Sequence, residues 1–423
     1  MEMKENEITR LSSGHPVLSS LAEAVEKKDI RRLAAEGLFG SSKAVALAEV
    51  YRKTQLIHLV IIPEKEDAAY FYNDLVALLG DDSVFFFPST FKRSVQYEQT
   101  EPANIVLRTE VLNQLASGKR KGIIVSYPES LMEKVISRKN LKKNTFNISE
   151  GDKLSLDFLE EILHEYNFER VDFVVEPGSY SIRGSIADIF SYSADLPYRI
   201  DFFGNEVESI RTFNTDDQLS VELQKHISVI PNIQDISIEQ VTDCLADFIP
   251  SSAVVWIEDG KYIREKTNEI YNQVIRREES GQTAGRKDII MTGSRLIGEL
   301  GGFKTVELGR NTVFGKDSVF VFHTEIQPPF NKNFHLLAEK LTLNKNSGYQ
   351  TFIVSESQSQ IERLGEIFAE ISPEASFNPL LLNLHAGYTD HDLGISVFTD
   401  HQIFDRYHKF RIRGYFTRKE SIS

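Results

Sequence analysis

The feature that most restricts the fold is a change of rhythm along the chain. Up to about residue 140, helical and strand-like segments alternate roughly every 30–40 residues. Leu18, Leu21, Ala22 and Val25 recur at helical spacing, and residues 55–62 form an apolar, β-branched run. Residues 70–79 read as helix, 83–88 (SVFFFP) as strand, 103–115 as a helix entered through Pro102, and 122–127 (GIIVSY) as strand. Such alternation predicts βαβ units and a parallel sheet. Near 145 the pattern breaks. A helix at 156–166 carries Leu156, Leu159, Ile162, Leu163 and Tyr166 on one face, and short strands follow over 171–176, 181–190 and 197–213. The Gly204-Asn205 pair between two β-rich runs predicts a hairpin. Near 245 the first rhythm returns, with a strand at 253–257, a helix at 261–277 and a polar loop at 278–286. Beyond Pro328-Pro329 a further unit is expected, with helices at 334–341 and 361–368 and strands at 351–355, 380–384 and 395–398. The expected division is 1–145, 146–240, 241–328 and 329–423: an α/β domain in two halves, an α+β antiparallel insert between them, and an additional α/β domain.

Composition narrows the function. With 48 basic and 62 acidic residues among 423, the net charge of −14 disfavours a protein that coats duplex nucleic acid. The single cysteine, Cys244, excludes an internal disulfide framework and a multi-cysteine zinc site. No apolar run approaches the ~20 residues of a membrane span. The polar, acidic first ten residues lack a signal-peptide core, so a cytoplasmic location is expected and no membrane partner. Residues 404–423 hold six basic and two acidic residues, which suggests a connector or surface tail.

Two segments look like eroded nucleotide motifs. Residues 37–44 read GLFGSSKA, placed by the pattern between a helix and the strand at 55. In a working phosphate loop, GxxxxGK[ST], glycine lets amides wrap the phosphates, lysine meets the β/γ oxygens and the hydroxyl ligates Mg²⁺. Here Gly40 and Lys43 are retained, Ser42 replaces the second glycine, and Ala44 offers a methyl where the metal needs oxygen. The strand AVVWI ends in Glu258-Asp259-Gly260-Lys261, an inverted acidic pair running straight into a turn. Taken singly, each is equally well a Gly-rich turn with a solvated lysine and a strand-end turn. No serine, cysteine or histidine arrangement suggests a catalytic centre. His385, Asp390, His391 and Asp392 match no standard metal spacing and read as a surface loop, as does Asp400-His401.

The insert carries the sharper signal. In Tyr198-Arg199-Ile200-Asp201-Phe202-Phe203, strand alternation puts Arg199, Asp201 and Phe203 on one face and Ile200 and Phe202 on the other. An aromatic beside arginines on a solvent face is the chemistry of protein-partner hot spots. The bland alternative is that Phe203 covers a helix and Arg199 pairs with Asp201.

The run from Pro177 through Ser181-Ile182-Arg183-Gly184 and Asp188 to Arg199, Phe203, Glu206 and Arg211 resembles the UvrA-binding module. That module is shared by the excision-repair helicase UvrB and the bacterial transcription-repair coupling factor (Mfd) family. The flanking halves resemble the UvrB body, a helicase-type parallel α/β domain, with GLFGSSKA and EDGK where UvrB has intact motifs. Residues 89–104 leave little room for the DNA-clamping hairpin of UvrB. These departures point to the coupling-factor family, and 330–423 resembles the domain that follows its UvrB-like body.

The resemblance implies UvrA contacts at Arg183, Arg199 and Phe203, with Arg211 and Glu206 at the rim. It implies recruitment of nucleotide excision repair to stalled RNA polymerase. It also implies no catalysis and no cofactor in this stretch. ATP, Mg²⁺, DNA and RNA polymerase would be handled by a motor and further domains that this sequence does not include, and the UvrA face would be masked by contact with that C-terminal part. The rival expectations are an ATP-dependent, UvrB-like damage-recognition helicase, and a structural scaffold.

Overall fold

The computed structural model describes residues 7–93, 96–100, 102–233, 240–281, 287–406 and 412. Two short helices, α1 (Glu7–Ser13) and α2 (Pro16–Glu26), open the chain. Pro16 begins α2, and the His15 side chain caps it by accepting the N–H of Val17. Strand β1 (Arg32–Glu36) then leads through residues 37–41 into α3 (Ser42–Thr54). The succession β2 (Ile57–Ile61), α4 (Lys65–Leu79), β3 (Val84–Phe87), the short strands β4 (Phe91–Arg93) and β5 (Gln96–Thr100), α5 (Pro102–Ala116) and β6 (Gly122–Ser126) completes the first half of the body. Helices α6 (Pro128–Met132) and α7 (Arg138–Lys143) lead out of it.

The interlude begins at β7 (Phe146–Ser149) and α8 (Leu156–Glu165). It continues through β8 (Glu169–Arg170), β9 (Ser179–Arg183), β10 (Ile186–Ile189), β11 (Tyr198–Phe203), β12 (Glu206–Phe213), β13 (Ser220–Gln224) and β14 (His226–Val229). The body resumes with α9 (Leu245–Phe248), β15 (Val254–Glu258), α10 (Gly260–Glu279), α11 (Gly293–Leu300), β16 (Lys304–Leu308) and β17 (Ser318–Val321). The final unit holds β18 (Thr324–Ile326), α12 (Phe334–Asn346), β19 (Gln350–Ser355), α13 (Gln358–Ile371), β20 (Asn378–Leu381), β21 (Tyr388–Asp390), β22 (Ile395–Thr399) and α14 (Asp400–Ile403).

The body sheet has the order β17-β1-β16-β15-β2-β6-β3, with every pair parallel. Strands from both sides of the interlude therefore interleave in one sheet. Apart from the edge strand β17, where Val319 and Val321 are exposed, its strands are buried on both faces, as a parallel sheet covered by helices requires. Trp256, fully buried on β15, donates its indole N–H to His58 Nδ1 on β2 at 2.9 Å. Burial depresses His58 to about 3, which keeps it the neutral acceptor this pair needs.

The interlude forms an antiparallel sheet, order β13-β12-β11-β10-β9-β8, in which only the short β8 runs parallel to its neighbour. Gly204 and Asn205 close the β11–β12 hairpin, and Gly204 has φ +64°. One face packs Ile200, Phe202, Val207 and Ile210 against Leu159 and Leu163 of α8. A two-stranded ribbon, β7 with β14, connects this module to the body. The final sheet, order β18-β21-β22-β19-β20, is mixed.

Four expectations change. Strand β1 (RLAAE) has no β-branched residue and gives no strand signal, so segment 37–44 lies between a strand and a helix rather than between a helix and a strand. Residues 171–176 are not a strand; after β8 the chain leaves the sheet edge and sinks Val174 beside Phe190 and Phe213. Residues 89–104 do contain a hairpin, β4 with β5, though its strands are only three and five residues long. The 380–384 strand ends three residues early, at Leu381. The loop expected at 278–286 and the basic stretch after residue 404 fall mostly outside the described residues. Among the described residues, no helix is long and apolar enough to cross a membrane.

Candidate functional site

Segment 37–41 joins the carboxyl end of β1 to the start of α3, where parallel α/β sheets hold phosphate ligands. The segment is closely packed by the last unit. Gly37 and Gly40 both have positive φ. A Cβ at Gly37 would stand 2.0 Å from the Phe322 carbonyl oxygen, and one at Gly40 would stand 2.8 Å from that of Gly387. The amides that would face a phosphate have protein acceptors. Phe39 N–H donates to Ser42 Oγ and Thr324 Oγ1, both at 3.0 Å, and Ser41 N–H donates to the Ala386 carbonyl at 3.0 Å. In return Ala386 N–H donates to Ser41 Oγ (2.9 Å), whose own proton goes to Asp74 Oδ2 (2.6 Å). Asp74 Oδ1 accepts the N–H of His385 at 2.6 Å, and the His385 ring stacks on Tyr70 at 3.7 Å between centroids. Burial pushes the Asp74 carboxyl up to about 7, against the pull of its two hydrogen bonds.

The two eroded motifs meet in space. Lys43 Nζ lies 2.5 Å from Glu258 Oε1, although 215 positions separate them. Asp259 sits at φ +49° and caps α10 by accepting the Tyr262 N–H, so its carboxylate serves the helix. Ala44 is buried beside them and supplies no oxygen. A second lysine, missed from the sequence, completes the edge. Lys266 Nζ contacts Glu64 Oε2 (2.9 Å), Glu129 Oε1 (3.1 Å) and the Pro63 carbonyl (2.9 Å), while Tyr262 donates its hydroxyl to Glu64. Lys43 and Lys266 are thus both paired internally. The residues present do not fit a Mg²⁺-nucleotide: the metal hydroxyl is absent, the lysine is engaged and the Phe39 and Ser41 amides have protein acceptors.

The 385–392 segment is not the surface loop its composition suggested. His385 belongs to the contact just described, and Asp390 is buried on β21. His15 Nε2 faces Asp390 Oδ2 and Asp392 Oδ2 at 3.8 and 3.7 Å. His15 Nδ1 accepts the Val17 N–H, while Nε2, too far from either carboxylate for a hydrogen bond, is buried with no hydrogen-bond partner among the described residues.

The module presents the opposite arrangement. Phe203, at the end of β11, is 79% exposed, whereas its neighbour Phe202 is buried. The strand register sets Ser181, Asp188, Arg199, Arg211 and Leu223 side by side across five strands. Asp188 is 1% exposed and holds two arginines. Arg199 Nε and Nη2 donate to its two oxygens at 2.7 and 2.8 Å, and Arg183 Nη2 donates at 2.6 Å. Arg199 therefore pairs with Asp188, and Asp201 pairs instead with Arg211 at 2.6 Å. Arg199 also lies over the Phe213 ring, and Arg183 over Phe173. The Asp188 hydrogen bonds hold the Arg199 guanidinium above its ordinary range. Phe173 was not singled out from the sequence, and Asp188 was named only as part of the resembling run; alternation along 186–189 puts Asp188 on the Arg199 face and could have given it a role.

Residues 146–234 match the family model described as UvrB interaction domain. The chain is 33% identical over 196 residues to the transcription-repair-coupling factor of Bacillus subtilis (strain 168), across 46% of this chain and 16% of that protein. It is 28% identical over 196 residues to that of Escherichia coli (strain K12), covering 46% and 17%. It is 25% identical over 215 residues to UvrABC system protein B of Thermosipho africanus (strain TCF52B), covering 48% and 32%. Fold and sequence together define a UvrB-like α/β body interrupted by a UvrB interaction domain. Within that class the chain is similar to the UvrB-like N-terminal region of transcription-repair-coupling factors, of whose length the match spans about a sixth.

Proposed function

We propose that this chain is a recruitment unit that docks the repair protein UvrA on the open face of its six-stranded module, while its α/β body is a frame without ATPase activity. The observation that carries the reading is Phe203: a large ring left outside the core, at the end of a strand whose outward arginine is fixed by a buried carboxylate. A preorganised face of this kind loses little conformational entropy on binding. In the longer proteins it resembles, such docking would bring nucleotide excision repair to a stalled RNA polymerase, with DNA translocation supplied elsewhere.

The test is calorimetric titration of the chain with purified UvrA, wild type against Phe203→Ala, with melting curves for each. Binding by the wild type and its loss in a folded variant are expected. A well-folded wild type that does not bind, or a variant that binds equally well, overturns the docking reading and leaves a structural scaffold. An ATP-dependent enzyme is the competing reading, and the Lys43–Glu258 pairing, Ala44 and the occupied loop amides oppose it. ATP turnover above background that disappears in Lys43→Ala would restore it.

A further inference from the structure

The three positions implied by the motif are not equivalent. Arg199 is 15% exposed on its side chain, and each of its three guanidinium nitrogens already donates. Nε and Nη2 go to Asp188, and Nη1 goes to the Gln218 carbonyl at 3.2 Å. Its underside rests on Phe213, with 4.3 Å from Cζ to the ring centroid. Arg183 is 44% exposed and, among the described residues, uses one terminal nitrogen, on Asp188. Its Cζ stands 5.4 Å from the centroid of Phe173, a ring that is itself 60% exposed.

We infer that the ionic contact of the docking face is Arg183 presented on Phe173, that Asp188 and Arg199 position it rather than touch the partner, and that the matching surface offers a carboxylate framed by apolar side chains. The inference rests on the docking reading above and refines it. The physical grounds are donor count and access. The Arg199 guanidinium spends four of its five N–H donors on Asp188 and Gln218, and with little exposed surface it cannot offer the paired donors that an incoming carboxylate would take. One held at a single corner keeps its remaining donors, including a second edge suited to bidentate pairing. Arg199 is spent on Asp188 inside the cluster, and Arg183, gripped at one corner, carries its guanidinium charge out to the surface. Phe173 and Phe203 flank that charge. With ~3.4 Å per residue and ~4.8 Å between strands, Arg183 and Phe203 stand about 12 Å apart, within one ordinary interface. Exposed apolar side chains around a central charge exclude water and strengthen the ion pair they surround.

The experiment is the salt dependence of UvrA affinity for the full chain and for Arg183→Ala, Arg199→Ala, Asp188→Asn, Phe173→Ala and Phe203→Ala, with folding checked by melting. Expected are roughly tenfold or greater losses in Arg183→Ala and Phe173→Ala, with a flatter salt dependence in Arg183→Ala only. Arg199→Ala should weaken binding while keeping the wild-type salt slope, because the charge that meets the partner is still there. Asp188→Asn combined with Arg183→Ala should be no weaker than Arg183→Ala alone, as residues acting through one contact require. If Arg199→Ala flattens the salt dependence as much as Arg183→Ala does, or Phe173→Ala binds like wild type, the inference fails even with Phe203→Ala impaired. If Phe203→Ala binds normally, the docking reading itself fails. Should Arg199→Ala or Asp188→Asn melt early, Arg199→Lys carries the same comparison. It keeps a charge but lacks the fork that grips Asp188 in two places, and it should still fall short of wild type at unchanged slope.

Discussion

The carboxyl edge of the body sheet and the outer face of the module are built from the same parts, cations against carboxylates, and they come out opposite. At the body edge, Lys43 meets Glu258, Lys266 meets Glu64 and Glu129, and the last unit lays residues 385–387 along the loop amides. Lys43, Lys266 and the Phe39 and Ser41 amides are all turned to the protein. On the module, Asp188 grips Arg183 and Arg199, but the adjoining rings Phe173 and Phe203 stay outside. The difference teaches that residue types do not decide whether a site is open. What decides is whether neighbouring chain consumes the donors and covers the apolar surface.

That contrast can be broken at either side. The largest effect should come from Gly37→Ala. Positive φ and a Phe322 carbonyl 2.0 Å from the new Cβ force apart β1 and the start of the last unit. A loss of about 3 kcal/mol or more is expected, read from denaturant unfolding; an unchanged midpoint would mean the loop is not clamped. Phe203→Ala should come next, costing UvrA affinity about 2 kcal/mol while leaving stability within about 0.5 kcal/mol, because the ring is already in water. Equal losses of binding and stability would make Phe203 a packing residue.

The third prediction is a pH effect. The Asp74 carboxyl is raised to about 7 in the fold, above its unfolded value near 4. The folded state then holds a proton that the unfolded chain has released. This contribution is complete below about pH 4 and is lost as pH rises through 7. Unfolding free energy should decline across that window, by no more than about 1.4 kcal/mol per pH unit from this group, and Asp74→Asn should remove that part of the decline. A wild-type curve that matches Asp74→Asn throughout would place the carboxylate in water. The smallest effect is expected for Lys43→Ala. Both members of its ion pair are partly solvated, so stability should change by less than about 1 kcal/mol. Neither form should turn over ATP in a sensitive phosphate-release assay.

Much of this was legible in the sequence where periodicity is strong. The helix at 156–166, the Gly204-Asn205 hairpin and the apolar strands 57–61, 122–126 and 254–258 follow from local pattern, because one face or both must be buried. Strand β1 was not legible, since Arg32-Leu-Ala-Ala-Glu36 owes its extended form to two parallel neighbours rather than to its own residues. At the face, alternation separated Phe203 from Phe202 but could not choose the partner of Arg199. Asp201 is two residues away on the same strand, whereas Asp188 lies directly opposite on the next one. The closure of the loop was hidden for the same reason, because Ser41 and Ala386 are brought together only by the packing of the last unit on the body.

The ribbon of β7 and β14 has a consequence for the architecture as a whole. Phe146 lies opposite Val229 and Ser149 opposite His226, so the chain enters and leaves the module through adjacent strands about 5 Å apart. A segment whose two ends already touch is a closed circuit. It could be lifted out and sealed with a tight turn, or set into another host, without stretching either piece. Substitutions in the body then put no strain on the module it carries, and changes in the module put none on the body.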